Sequence, residues 1–430
     1  MAGSGLTGMV RGAKLVAVAE TGPAGFARPD SDGRQAMAAP FTPGAGLAQA
    51  CDQGGSMNSR IRADFPVTQD LTYLDTAYDG PYPLPVLEAG LEFLQRRSRG
   101  TGGRVQDWLE MLEQAKGVLA DLINARPGEV AITTNTTQGT NIVATSLGFE
   151  PGDNVVWDDL SYPSNAVVWR GLESSRGVEN RVLKNGGGAV SLCDYEKAVD
   201  DRTRIISISH VSHRNGFVYD VRGLADLAHA HGAYLHVDGI QAVGAIAVDV
   251  KSAEIDFYTS GVYKWLLGPM GLAFFYVREE LLSELEPVFR GFLQVEKWAD
   301  DAHLLPQAFY ETARKFETAT VHFHGAFELK AALDYLNGVG MDRIEEQVLR
   351  LSSKVWQGMN NLGLRMFTPP EPRSGIVTCI VDNGQAVSRL LQENGIVASV
   401  NPGRELRISP HFFNTEEEID HLLSVLQAGL

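Results

Sequence analysis

The chain has 430 residues, long enough for two domains with separate cores. A formal net charge of -16, with no basic stripe to offset it, argues against nucleic acid as a main partner, because a phosphate backbone demands the opposite sign. No uninterrupted apolar stretch approaches the roughly 20 residues that cross a bilayer, so no membrane partner is expected.

Residues 1–56 are rich in Gly, Ala and Pro and carry no sustained periodicity, the composition of a disordered or loosely attached extension. Arg11, Lys14 and the run 15–19 faintly echo a signal peptide, but the apolar part falls short of the about 7 residues such a signal needs. Met57 opens the stretch 57–66 in the manner of a domain start and is a second candidate initiation site. The three cysteines, Cys51, Cys193 and Cys379, show neither metal-ligand spacing nor a disulfide framework. No metal is expected, and so cysteine-poor a chain suits a reducing cytoplasm.

Short apolar strands at 130–133, 154–157, 204–209, 234–237, 257–258 and 272–277 alternate with helical patterns, among them 224–231 stopped by Gly232. This order predicts an α/β fold, a mostly parallel sheet with helices on both faces. From about Phe316 the pattern changes to longer amphipathic helices, 327–336 and 342–362, followed by a smaller strand-containing unit. The expected organisation is therefore a large domain over 57–315 and a small α+β domain over 316–430.

Three motifs carry chemistry. The first, 129–143, is a strand, a run of hydroxyl residues and an apolar helical pattern. Free backbone N–H groups and the positive helix end suit a phosphate there, with Thr136 and Thr137 adding hydroxyls; a simple N-cap cluster would look the same. The second, 234–241, is a buried-type strand ending in Asp238 and a glycine. An acid there faces the edge of the sheet where α/β ligands collect, or caps the next helix. The third is Lys264, delivered by an apolar strand into a turn flanked by glycines. Desolvation would lower its pKa and make it a nucleophile for Schiff-base chemistry, whereas an ordinary surface lysine would be inert.

Phosphate cup, strand-end acid and inter-strand lysine, in this order, resemble the fold-type I pyridoxal phosphate (PLP) enzymes, specifically the class V aminotransferase or cysteine desulfurase superfamily. The resemblance runs from 73–77 to 406–415. It implies that Lys264 forms the Schiff base, Asp238 pairs with the pyridine nitrogen and Gln241 contacts the ring oxygen. Thr136 and Thr137 would hold phosphate, with Ser260 and Tyr263 as further phosphate ligands. By the same matching, Tyr162 stacks on the ring, His213 stands where a polar contact to the ring hydroxyl is usual, and Arg407 clamps the substrate carboxylate. The family's asparagine is replaced at His213, which can tune the cofactor, serve as acid or base, or be a satisfied structural histidine. The resemblance also implies a homodimer with shared active sites, residues 290–292 reaching the partner's cofactor.

One departure bears on the reaction. Desulfurases carry a nucleophilic cysteine on a loop before the carboxylate-binding arginine, and 394–404 contains none. Cys379 sits in an apolar run and reads as a buried strand residue. The expected activity is therefore chemistry at the α-carbon of an amino acid or related amine, aminotransferase-like or epimerase-like. Residues 263–269 resemble the isopenicillin N epimerase-like branch. A carbon–sulfur β-elimination lyase is the alternative within PLP chemistry, and a non-catalytic PLP-fold binding protein the alternative outside it. A nicotinamide dehydrogenase is disfavoured by the lack of a G-x-G-x-x-G turn.

Overall fold

Strands rich in Val, Ile, Phe and Tyr assemble the central sheet. They are β1 (Val130–Thr133), β2 (Asn154–Asp158), β3 (Glu179–Leu183), β4 (Thr203–Ser209), β5 (Tyr234–Asp238), β6 (Phe257–Gly261) and β7 (Ala273–Val277). Their order is β1-β7-β6-β5-β4-β2-β3. All are parallel except β7, which runs antiparallel to both neighbours. The carboxyl ends of six strands consequently lie along one edge, where ligands of α/β sheets gather. In β1, β2, β6 and β7 every residue is buried, as expected of strands covered on both faces.

The computed structural model describes residues 57–296, 308–371, 373–401 and 404–429. The readings made for 1–56, including Cys51, lie outside them. The strand expectations hold to within a residue or so, except that β6 continues to Gly261 and that β3 was not anticipated.

Helices α1 (Leu84–Ser98), α2 (Val105–Leu122), α3 (Thr136–Ser146), α4 (Pro163–Arg176) and α5 (Val221–Ala230) surround this sheet or extend from it. Asp220 caps α5 through the Gly223 N–H, and Gly232 follows it with a φ of 68°. Helix α6 (Phe323–Val339) packs on α1 and α2, and α7 (Met341–Asn361) follows it directly. A second sheet has the order β10-β11-β9-β8, built from β8 (Arg365–Met366), β9 (Val377–Ile380), β10 (Ser399–Val400) and β11 (Glu405–Ile408). Its core, with Leu406, Ile408, Cys379 and Val377, is closed by α7, α8 (Gly384–Glu393) and α9 (Glu416–Gly429).

The segment before α1 links the carboxyl-terminal unit to the turn after β6, where the Gly80 N–H bonds to the Tyr263 carbonyl at 2.9 Å. Thr72–Tyr73 pairs in parallel with Ile396–Val397, and Asp75 bridges to Ser409. The segment before α1 is thereby threaded between β11 and the turn after β6, and residues far apart in sequence meet there.

Candidate active site

The site is built at the carboxyl edge of β1, β5 and β6. Asp238 ends β5 in register with Thr259 of β6. Its carboxylate is buried and accepts hydrogen bonds from the Ile240 N–H at 3.2 Å and Asn165 Nδ2 at 2.9 Å. Burial pushes its pKa up, while those two bonds and the charge of Lys264 pull it down.

Lys264 follows β6 by three residues and is 7% exposed. Its amine is lowered from 10.5 to about 8, first by desolvation and then by the Arg407 cation; Asp238, Asp75 and Asp79 act against this through space. The Nζ atom stands 5.7 Å from the centre of the Tyr263 ring. Gly80 seats the chain directly on this turn, since a Cβ there would lie 2.0 Å from the Lys264 carbonyl oxygen.

The amino end of α3 reaches the same place. Asn135 caps it by accepting from the Gln138 N–H at 2.9 Å, and Thr136 Oγ accepts from the Gly261 N–H at 2.9 Å. Gly139 permits this approach: a Cβ would stand 2.5 Å from the Thr259 methyl. Thr136 and Thr137 therefore occupy the first turn of a helix aimed at the β6–Lys264 turn. Ser260 is buried and donates to the Gly261 carbonyl at 2.9 Å.

Gln241 is engaged at both ends of its amide. It donates to the Ala77 carbonyl at 3.0 Å and accepts from Trp265 Nε1 at 2.9 Å, tying the segment before α1 to the residue after Lys264.

Tyr162 precedes α4 and is 45% exposed, with its ring edge-on to His213 at 5.0 Å. His213 is held neutral, its pKa lowered to about 3 by burial and then by Arg407, Lys264 and Arg214. The Leu160 backbone works weakly against this lowering, and Nδ1 is buried with no hydrogen-bond partner.

Arg407 is 7% exposed on β11. One Nη donates to the His213 carbonyl at 3.0 Å; the other lies 3.1 Å from Ser399 Oγ and 3.4 Å from Asp75 Oδ1. Its Nε is buried without a partner.

Sequence reasoning thus named the groups around Lys264 but missed Asp75, Asn165 and Ser399, which hold them. Asp75 lay inside the segment 73–77 already singled out and Asn165 three residues after Tyr162, and a polar residue in such a setting was the available signal. A separate cavity of about 660 Å³ opens beside Arg126, Glu129 and Lys315, and none of these site residues lines it.

Residues 72–422 match the family model of the class-V aminotransferases. The chain belongs to this family. A probable cysteine desulfurase of Methanothermobacter thermautotrophicus is 32% identical over 391 residues, 85% of this chain and 96% of the relative. An uncharacterized aminotransferase of Bacillus subtilis is 30% identical over 371 residues, 86% and 97% of the two chains. The apo structure of a cysteine desulfurase from Thermococcus onnurineus NA1 superposes with a TM-score of 0.79 at 27% identity, covering 86% of this chain and 97% of the other.

This class-V aminotransferase-family protein is accordingly a PLP-dependent enzyme with the fold-type I architecture. Its residues fit the cofactor. Asp238 is a buried carboxylate braced by two neutral donors, with no cation among its hydrogen-bond partners, and so suits a protonated ring nitrogen. Lys264 is a desolvated amine of the kind that links to the cofactor's carbonyl, and the first turn of α3 offers N–H groups to its phosphate. Among the described residues, no helix is long and apolar enough to cross a membrane.

Proposed function

We propose that the enzyme acts at the α-carbon of an amino acid, with aminotransferase-like or epimerase-like chemistry as its outcome. The observation that carries this reading is the position of Lys264: its amine, poised near 8, feels Asp238 and Asp75 on one hand and Arg407 on the other. Bound PLP supplies an electron-withdrawing ring that acidifies the substrate Cα–H. Arg407 receives the substrate carboxylate, its unpartnered Nε being the group still to be satisfied. Lys264 Nζ takes the Cα proton as a base and returns it, and Asp238 keeps the ring nitrogen protonated. Thr136, Thr137, Ser260 and Tyr263 hold the phosphate in this reading, while Tyr162 covers the ring. Gln241, through the second N–H of its amide, and His213 would contact the ring oxygen. His213, being neutral, serves as a hydrogen-bonding group rather than a cation.

A carbon–sulfur β-elimination is the second reading, favoured by the cysteine desulfurase names of the relatives. Among the described residues, transfer of sulfur through a thiol has less support. Burial pushes the Cys379 thiol up to about 12, and Cys193 lies in the short helix Leu192–Glu196, outside the site. The isopenicillin N epimerase-like branch, a cytoplasmic homodimer sharing its active sites, and the division into domains at 57–315 and 316–430 belong to the same proposal. Sedimentation of the loaded enzyme tests the dimer.

The deciding experiment gives the loaded enzyme a panel of amino acids and follows 2-oxo acid formation, loss of optical activity, and release of pyruvate, ammonia and sulfide. Amino transfer or racemisation supports the first reading. Sulfide with pyruvate from cysteine or cystine supports the second and overturns the first.

A further inference from the structure

His411 is a buried imidazole to which the chemistry above assigns no task. It follows the end of β11 by three residues and is 0% exposed. Its ring stands edge-on to the Trp265 indole, with centres 5.2 Å apart, and against Phe412 at 4.6 Å and Phe413 at 5.8 Å. None of these neighbours is charged, and burial lowers the pKa to about 3, so the ring is neutral. Its Nε2 lies 3.0 Å from the Trp265 carbonyl oxygen. A carbonyl only accepts, so Nε2 carries the one ring hydrogen and donates it, which leaves Nδ1 bare. Nδ1 is buried with no hydrogen-bond partner, as that tautomer requires.

The bond closes a circuit. From Trp265 the indole Nε1 donates to Gln241 Oε1 at 2.9 Å, and Gln241 Nε2 donates to the Ala77 carbonyl at 3.0 Å. The Ala77 N–H donates to Ser409 Oγ at 3.0 Å, and Ser409 lies two residues before His411. At the other side of the histidine, its N–H donates to Asn414 Oδ1 at 2.9 Å, and Asn414 Nδ2 donates to the Tyr73 carbonyl at 2.9 Å. Trp265 is therefore held through its carbonyl as well as its indole. The segment holding the carbonyl is the one that leaves β11 after Arg407.

We propose that His411 is a positioning residue: its Nε2–H clasps the Trp265 carbonyl and so fixes Lys264, the residue before Trp265, relative to Arg407, four residues before His411 on the same segment. The proposal rests on the roles given to Lys264 and Arg407 above. Its consequence is electrostatic. After desolvation, the Arg407 cation is the largest influence lowering the Lys264 pKa, opposed by Asp238, Asp75 and Asp79. Arg407 is anchored independently by the His213 carbonyl, Ser399 and Asp75. With the clasp removed, repulsion lets the Lys264 turn relax away from that anchored cation, and a proton on the Lys264 nitrogen becomes easier to hold.

The test uses the full-length, PLP-loaded enzyme and two readouts. Nitrogen NMR of histidine-labelled wild type, with the His411 signals assigned from their loss in His411→Gln, should show the Nε2–H tautomer alone and no titration between about pH 5 and 8. A ring protonated on Nδ1 instead overturns the proposal, since the Trp265 carbonyl would then face no donor. The second readout is the pH titration of the visible absorbance of lysine-linked PLP. In His411→Phe, which keeps an aromatic ring but has no donor, the midpoint should rise by about 0.5 or more. His411→Gln, whose amide nitrogen can reach the carbonyl, should bring it back to within about 0.2 of wild type. If His411→Phe does not fold, His411→Leu is read in the same way. A folded variant with an unmoved midpoint, even one with a lower unfolding temperature, overturns the proposal. Lys264→Met should abolish the titrating band; a band that survives it overturns the role of Lys264, and the proposal with it, whatever the His411 ring shows.

Discussion

Asn165 Nδ2 donates to Asp238 Oδ2 at 2.9 Å, so the acid at the end of β5 is aimed by a side chain from α4. Asn165 is itself held by Thr140 of α3, whose hydroxyl meets its Oδ1 at 3.1 Å. The helix that offers its amino end to phosphate and the carboxylate that suits the ring nitrogen are thereby parts of one hydrogen-bonded chain. Asn165→Ala leaves Asp238 with the Ile240 N–H alone. A lost hydrogen bond to a charged group is worth about 1.5–3 kcal/mol, so PLP affinity should fall roughly 10- to 100-fold. Fluorescence titration of the apoenzyme with PLP measures this, and an unchanged affinity would show that the backbone donor suffices.

Lys264 gives a prediction in stability and its pH dependence. Its folded pKa of about 8 lies below the ordinary 10.5, so the folded chain disfavours the charged amine. The cost is fully present below pH 8 and disappears as the pH rises from 8 to 10.5, where the unfolded chain binds more protons than the folded one. Lys264→Met should therefore stabilise the apoenzyme at pH 7 by up to the order of 3 kcal/mol, and the gain should vanish above about pH 10.5. Urea unfolding at several pH values follows it. The same variant should lose the visible absorbance of covalently held PLP.

What the sequence disclosed follows from where the signal is local. The apolar runs of β1, β2, β4, β5, β6 and β7 are continuous because both faces are covered, and Asp238 and Lys264 were legible as polar breaks at their ends. Strand β3 was not, because Glu179, Asn180 and Arg181 on the sheet edge are partly exposed and read as loop. The support of the site was hidden for another reason. Asp75 meets Arg407, and Gln241 meets Ala77, across more than 160 residues of chain, and no short motif encodes such a pairing.

Gly80 is a purely steric constraint on the reactive lysine. A Cβ would stand 2.0 Å from the Lys264 carbonyl oxygen and 3.0 Å from a Leu267 methyl, and the nearest atom is backbone that cannot rotate away. Gly80→Ala should displace either the segment before α1 or the lysine turn, at a cost of about 1–3 kcal/mol. Reduced PLP incorporation with an otherwise folded far-ultraviolet spectrum is the expected result. Full incorporation would mean that the segment yields and the lysine does not.

Arg407 and Asp75 form a nearly dry pair, with side chains 9% and 10% exposed. Removing the cation strands a buried acid whose pKa burial already pushes up, so Arg407→Met should destabilise the protein by about 3–5 kcal/mol. Adding Asp75→Asn should recover part of that loss, because the stranded charge goes with it. Denaturant unfolding of the two single variants and the double variant tests this through their coupling energy.

Cys379 separates the thiol-dependent route from the others. It lies on β9 opposite Leu406 and Met366, is fully buried, and has its thiol pushed up to about 12, so less than about one part in 10⁴ is thiolate at neutral pH. A nucleophile needs both the thiolate and access, and this residue has neither. Cys379→Ala should leave turnover of the true substrate within about twofold while lowering stability by about 1 kcal/mol, the cost of a small cavity in a core of Leu, Ile and Val. Cys193→Ala should change neither, since that residue is exposed on the short helix Leu192–Glu196. Measured turnover in both variants decides the matter: a large loss in Cys379→Ala at preserved stability would place a sulfur-carrying step on this chain and reverse the ranking of its reactions.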